Sequence, residues 1–174
     1  MRFALMLSGL IASLGANAGP VTVLGVPIGG KLPYKVRECA PNFPPSKVVC
    51  WVGRPFVSKR GGMLGSAMLP DSSLPDWAQY GSFDLHIGPD GTIGELRMKD
   101  IESDKEKTVA GSIERRFGTP RTQSRVAVGA ITGWRTPELE VELLCPVRST
   151  CTLSFESDET RTSRLKRLEQ AEKE

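Results

Sequence analysis

Histidine is almost missing from this chain: His86 stands alone among 174 residues. Imidazole chemistry is thereby confined to one position, and no serine or cysteine motif of the kind that accompanies a catalytic histidine goes with it. His86 alternates with Leu85 and Ile87, a pattern that places it on the wet side of a strand. Closely spaced cysteine pairs of the zinc-binding type are lacking as well, and His86 is far from every cysteine. No G-x-G-x-x-G or Walker-type run occurs, and neither Gly29-Gly30 nor Gly61-Gly62 sits in a turn joining a strand to a helix. Charge of one sign is not in excess, since 23 Lys and Arg face 20 Asp and Glu for a net charge of +3. That balance excludes a polybasic binder of nucleic acid or of a membrane surface. Beyond residue 18 no apolar run is long enough to span a bilayer. The residues therefore assign no cofactor, no metal and no catalytic group, and they exclude nucleic acid as a partner.

What is present begins with an export signal. Arg2 supplies a positive start, Phe3 to Leu14 is mostly apolar, and Ala16-Asn17-Ala18 places small residues at a cleavage site. Residues 1–18 read as a signal peptide cleaved after Ala18, which leaves a mature chain without a transmembrane segment in the periplasm or secreted. The first cysteine, Cys39, lies far from the cut, so this is not the lipid-modified type of signal. Four cysteines in an oxidising compartment read as disulfides. Cys39, Cys50, Cys145 and Cys151 allow three pairings. Their spacing favours the two local ones, Cys39 with Cys50 and Cys145 with Cys151.

The clearest folding unit runs from Phe83 to Pro120. Phe83, Leu85 and Ile87 alternate with Asp84 and His86, Pro89-Asp90-Gly91 makes a turn, and Leu96 and Met98 oppose Glu95, Arg97 and Lys99. Ser103 and Glu106 match a capping box, and Val109, Ile113 and Phe117 share one face of a helix over about 105–117, stopped by Gly118 and Pro120. Val126, Val128, Ala130 and Trp134 then read as one face of a single strand. Leu139, Val141, Leu143 and Cys145 alternate with Glu138, Glu140 and Glu142, and Cys151, Leu153 and Phe155 share a face of the last strand. If Cys145 and Cys151 lie opposite each other, antiparallel pairing sets Leu143 against Leu153 and Val141 against Phe155 on the bridge side, with the glutamates on the other.

The organisation follows. Residues 19–157 form a single α+β domain: an antiparallel sheet of about five strands with one helix packed on one face. Within it, 19–80 is an irregular wrap pinned by a disulfide, and 81–157 is the sheet-helix core. In the wrap, Val21 to Val26 reads as a short strand or extended lead-in, Lys47 to Val52 as a strand, and Ser58 to Ser66 as a loop or bulged hairpin tip. Residues 158–174 form a charged tail, a solvated helix in which Leu165 and Leu168 are the chief apolar side chains.

Asp84 and Asp90 lie near one turn, and Glu138, Glu140 and Glu142 line one strand face. Glycosidase chemistry needs two carboxyl groups across a cleft, one with a raised pKa, whereas a row on one face makes a solvated acidic stripe. A basic cluster of Arg54, Lys59 and Arg60 lies near Trp51 and Phe56. It marks Arg54, Phe56, Lys59 and Arg60 as a candidate interaction loop, because ligand-contacting residues gather on loops held by a rigid scaffold.

Leu24-Gly25-Val26-Pro27-Ile28-Gly29 with the following Cys39 resembles the start of many small exported bacterial proteins without assigned activity. The run from Asp90-Gly91-Thr92-Ile93 to Arg116-Phe117-Gly118-Thr119-Pro120, followed by Trp134, is similar to small envelope α+β domains. These include the outer-membrane assembly lipoprotein domains and the β-lactamase-inhibitor-like proteins, although the lipid-anchoring cysteine of the former is absent here and strands precede the helix. The resemblance implies helices on one face of an antiparallel sheet and a protein-binding role; it transfers no functional residue. The expected function is that of an exported, non-enzymatic module that binds another exported or envelope protein, as an inhibitor, an immunity factor or an accessory to an envelope machine. The alternatives are a small hydrolase or wall-polymer-binding module using carboxylates of an open sheet face (Asp84, His86, Glu95, Arg97, Glu140, Glu142), and a structural component of a surface or conjugation assembly.

Overall fold

The computed structural model describes residues 19–40, 47–79 and 81–171. The signal peptide assigned to residues 1–18, together with Pro41, Pro44, Pro45 and Tyr80, lies outside the described residues. Among them the strands are β1 (Val21–Val23), β2 (Val26–Ile28), β3 (Cys50–Trp51), β4 (Phe56–Val57), β5 (Met63–Met68), β6 (Ser82–Ile87), β7 (Ile93–Ile101), β8 (Thr122–Val126), β9 (Gly129–Arg135), β10 (Leu139–Pro146) and β11 (Cys151–Ser157). Two helices, α1 (Glu106–Phe117) and α2 (Asp158–Ala171), follow β7 and β11. No helix among the described residues is long and apolar enough to cross a membrane.

β1 and β2 form a hairpin of their own, and the other nine strands make one antiparallel sheet. Its order is β3–β5–β6–β7–β11–β10–β9–β8, with β4 beside β5 on the same side as β3. Two meanders, β5–β6–β7 and β8–β9–β10–β11, are thus joined where β11 pairs with β7. The apolar alternation of β6, β7, β10 and β11 decides this arrangement: Phe83 faces Met98, Leu85 faces Leu96, Met98 faces Leu153, and Leu96 faces Phe155. All of these side chains are buried on one face. α1 leaves β7 in mid-sheet and crosses that face to reach β8 at the far edge, burying Val109 and Ile113, while Phe117 meets Phe155 at a ring separation of 6.4 Å. The β1–β2 hairpin is fastened to β7 by Gly29 N–H to Ile93 O and Ile93 N–H to Gly30 O, each 2.8 Å.

The register expected from the last two cysteines is observed. Leu143 pairs with Leu153 and Val141 with Phe155, all buried, and Cys145 and Cys151 are bridged with Cα atoms 4.1 Å apart. Cys39 and Cys50 form the other disulfide.

Several expectations are corrected. The sheet has nine strands and a separate two-stranded hairpin rather than about five strands. Most of the excess comes from the segment read as an irregular wrap, which holds β1 to β5, strands of two to six residues. Strands this short complete too few periods for alternation to mark them. The stretch read as one strand with Val126, Val128, Ala130 and Trp134 on one face is instead the β8–β9 hairpin. Ala130 and Trp134 are buried, but Val126 ends β8, Val128 lies in the turn, and both are exposed. The capping box does not form: Ser103 opens a 3-10 turn without a side-chain cap, and Glu106 instead accepts a hydrogen bond from Arg125 at 2.9 Å.

Candidate interaction surface

The second face of the sheet is polar, and antiparallel pairing lines its side chains into rows. One row crosses from edge towards edge as Phe56, Leu64, His86, Glu95, Glu156, Glu140 and Arg135, each the cross-strand partner of the next. Three glutamates side by side would repel one another if left alone. Each is met by an arginine: Glu95 by Arg97 of its own strand, Glu156 by Arg164, and Glu140 by Arg161. Arg164 grips Glu156 with two bonds, Nε to Oε1 at 3.1 Å and Nη2 to Oε2 at 2.7 Å. The Glu156 hydrogen bond holds the Arg164 guanidinium above its ordinary value, helped by the charges of Glu156, Glu140 and Glu95. Asp84 in the neighbouring row is paired with Lys99 at 2.9 Å and accepts a hydrogen bond from Ser66.

Arg161 and Arg164 belong to α2, so the charged tail begins by lying along this face. Ser157 starts the helix: its buried hydroxyl accepts the N–H of Thr160 at 3.2 Å, the usual service of an N-capping serine. Asp158 at the first turn meets Arg135 at 3.3 Å. Gly94 is where the helix comes closest to the sheet, since a Cβ there would collide with the Thr160 hydroxyl and touch His86 Nδ1. The face expected to stand open at Asp84, His86, Glu95, Arg97, Glu140 and Glu142 is therefore partly covered by α2.

Where the cover ends, a cleft of about 300 Å³ remains between α2 and the β4–β5 hairpin. Its walls include Phe56, Leu64, His86, Glu95, Thr160 and Arg167. Ser58 also borders it, but its hydroxyl accepts the N–H of Gly62 at 3.0 Å, and no hydrogen bond joins it to His86. As arranged, the carboxylates serve as ion-pair partners rather than as a pair facing each other across a gap.

Of the four candidate loop residues, Phe56 lines this cleft and Arg54, Lys59 and Arg60 do not. Phe56 is on β4, Lys59 and Arg60 are in the turn closed by Ser58 N–H to Gly62 O at 2.8 Å, and Arg54 is in the link from β3, 3.8 Å from Glu38 with both side chains exposed. Strand pairing adds what sequence reading did not find. Phe56 and Leu64, 69 % and 48 % exposed, are cross-strand partners and make an apolar patch at this edge, while Val57, 60 % exposed, pairs with Met63 on the opposite side of the strand. Among the described residues no strand pairs with the outer side of β4, whereas β3 is covered by residues 37–39 through Cys39 N–H to Trp51 O at 2.9 Å and Trp51 N–H to Arg37 O at 2.8 Å. The Cys39–Cys50 bridge pins that cover in place. Among the described residues, Lys59, Arg60 and Arg167 have no ion pair. No family model, no curated protein and no solved structure matches the chain.

Proposed function

We propose that this chain is an exported, non-enzymatic protein-binding module of the inhibitor, immunity or envelope-accessory kind, and that it docks its partner along β4. The observation that carries this reading is the β4 edge, unpaired among the described residues, with Phe56 and Leu64 exposed on one side of it, Val57 on the other, and three cations without an ion pair among the described residues at its rim. An open edge strand offers backbone donors and acceptors to a further strand, and exposed apolar side chains beside it supply the burial. Natural edges are commonly blunted by inward charges, bulges or covers; here β3 is covered, and among the described residues nothing pairs with the outer side of β4. The rim of Lys59, Arg60 and Arg167 suits an extended segment that carries carboxylates on its flanks. The disulfides support an oxidising compartment, periplasmic or secreted, and hence an exported or envelope protein as partner.

The test places a photo-crosslinking residue at Val57, with the same residue at Glu114 on the exposed side of α1 as control, in the cell that makes the protein. A discrete adduct from position 57 alone, lost when Phe56→Glu is added, is the expected result. Equal adducts from both positions, or none from position 57, would refute docking along β4.

A further inference from the structure

On the other side of the sheet a second, half-open cavity of about 280 Å³ lies between the β1–β2 turn, the 3-10 turns Asp71–Ser73 and Asp76–Ala78, and the last turns of α1. Its volume is at the small end of ligand sites. Ile113 and Phe117 of α1 and Leu74 form apolar walls, and Leu24 closes the hairpin side. Leu24 and Gly25 make the tight turn between β1 and β2 with φ of 49° and 78°. Asn or Asp usually fills the first of these places, and a leucine there costs about 1 kcal/mol. The turn is nonetheless held: the Ser73 hydroxyl donates to Leu24 O at 3.1 Å and sits where a side chain on Gly25 would be. Strain of this kind is retained where a particular side chain is needed at a particular wall.

Two polar groups border this cavity. Trp77 lines it, and its indole Nε1 is buried with no hydrogen-bond acceptor among the described residues. Such a donor costs about 1–3 kcal/mol unless something accepts its proton. Arg116 stands at the rim, exposed, donating to the Thr22 carbonyl and lying 5.3 Å over the Phe117 ring, with no carboxylate in reach among the described residues. Apolar walls and a guanidinium without a counter-charge belong together in one kind of site. We propose that the cavity binds a small monocarboxylate with a short apolar tail, the tail between Leu24, Ile113 and Phe117, the carboxylate on Arg116.

The probe is sodium octanoate, titrated by calorimetry and followed by tryptophan fluorescence, with 1-octanol as the neutral control. Saturable octanoate binding at least tenfold tighter than that of octanol is expected. Arg116→Gln should weaken octanoate about tenfold while leaving octanol unchanged, the size of one charge-assisted hydrogen bond. Trp77→Phe should lower the fluorescence response, and Ser112→Trp, which fills the cavity from α1, should abolish binding with the thermal midpoint preserved. Absence of saturable binding, equal affinity for octanol, or indifference to Arg116→Gln and Ser112→Trp would overturn the proposal. Vesicles of anionic phospholipid form the last arm: adsorption to them in place of octanoate would overturn the reading of a free acid as ligand.

Discussion

Replacing Arg164 with glutamine removes the cation that answers Glu156 while keeping a polar side chain of similar length. Exposed ion pairs contribute about 0–1 kcal/mol. Here the Glu156 side chain is only 12 % exposed and the Arg164 contact is double, which places this pair at the top of that range, about 1 kcal/mol. Without Arg164, Glu156 is left between Glu95 and Glu140 on the adjoining strands, and like charges directly opposite add a few tenths of a kcal/mol. Arg164→Gln should therefore destabilise by about 1–1.5 kcal/mol, a fall of roughly 3–6 °C in thermal midpoint for a chain of this size. A double-mutant cycle with Glu156→Gln isolates the pair and should return a coupling of about 1 kcal/mol at low salt. About half of it should vanish in molar salt, as screening demands of a partly exposed pair. The pH sign is definite. The folded-state value of Arg164 is raised above its ordinary value, so its contribution is complete at every pH below that ordinary value and is lost only as pH rises through the raised one. The coupling should not titrate through this group near neutrality. A coupling below about 0.3 kcal/mol at low salt would show that the arginines merely rest on the glutamate row.

Gly94→Ala should force Thr160 and the start of α2 away from the sheet, costing about 1–3 kcal/mol; hydrogen exchange should locate the loosening at residues 158–164, and protection unchanged there would refute the close approach. Thr92→Val tests the β6–β7 turn, where the Thr92 hydroxyl, and then its N–H, hold the Asp90 carboxyl below its ordinary value of 3.8. A lowered value means stabilisation that is complete above 3.8 and fades as pH falls through the folded-state value, so the variant should be less stable than its parent near neutrality and converge with it in strong acid. Parallel urea-midpoint curves at the two pH values would refute that.

The β10–β11 hairpin was readable because its signals agree: alternation sets the buried face, and two cysteines at equal distance from the turn set the register. The β8–β9 hairpin was misread because Val126 and Val128 keep the parity of Ala130 and Trp134 while lying at a turn, where parity has no face to report. The helical nature of the tail was legible, but its seat on the sheet was not. Arg161 finds Glu140 across twenty-one positions of chain, and a charge pattern says nothing of partners at that range. Phe56, Lys59 and Arg60 stood out as aromatic and basic residues in a loop. That Leu64 joins Phe56 follows only from the pairing of β4 with β5.

β11 is the last strand in the chain and a central one in the sheet, flanked by β7 and β10. During synthesis, therefore, both of its neighbours are complete before it exists. Until β11 arrives, β7 and β10 each expose a full row of backbone groups along with apolar side chains that have no opposite number. Such edges are sites for pairing between chains. The order of strands thus makes folding an event of the finished chain: a polypeptide that stops short of Cys151 has both meanders begun and nothing to join them.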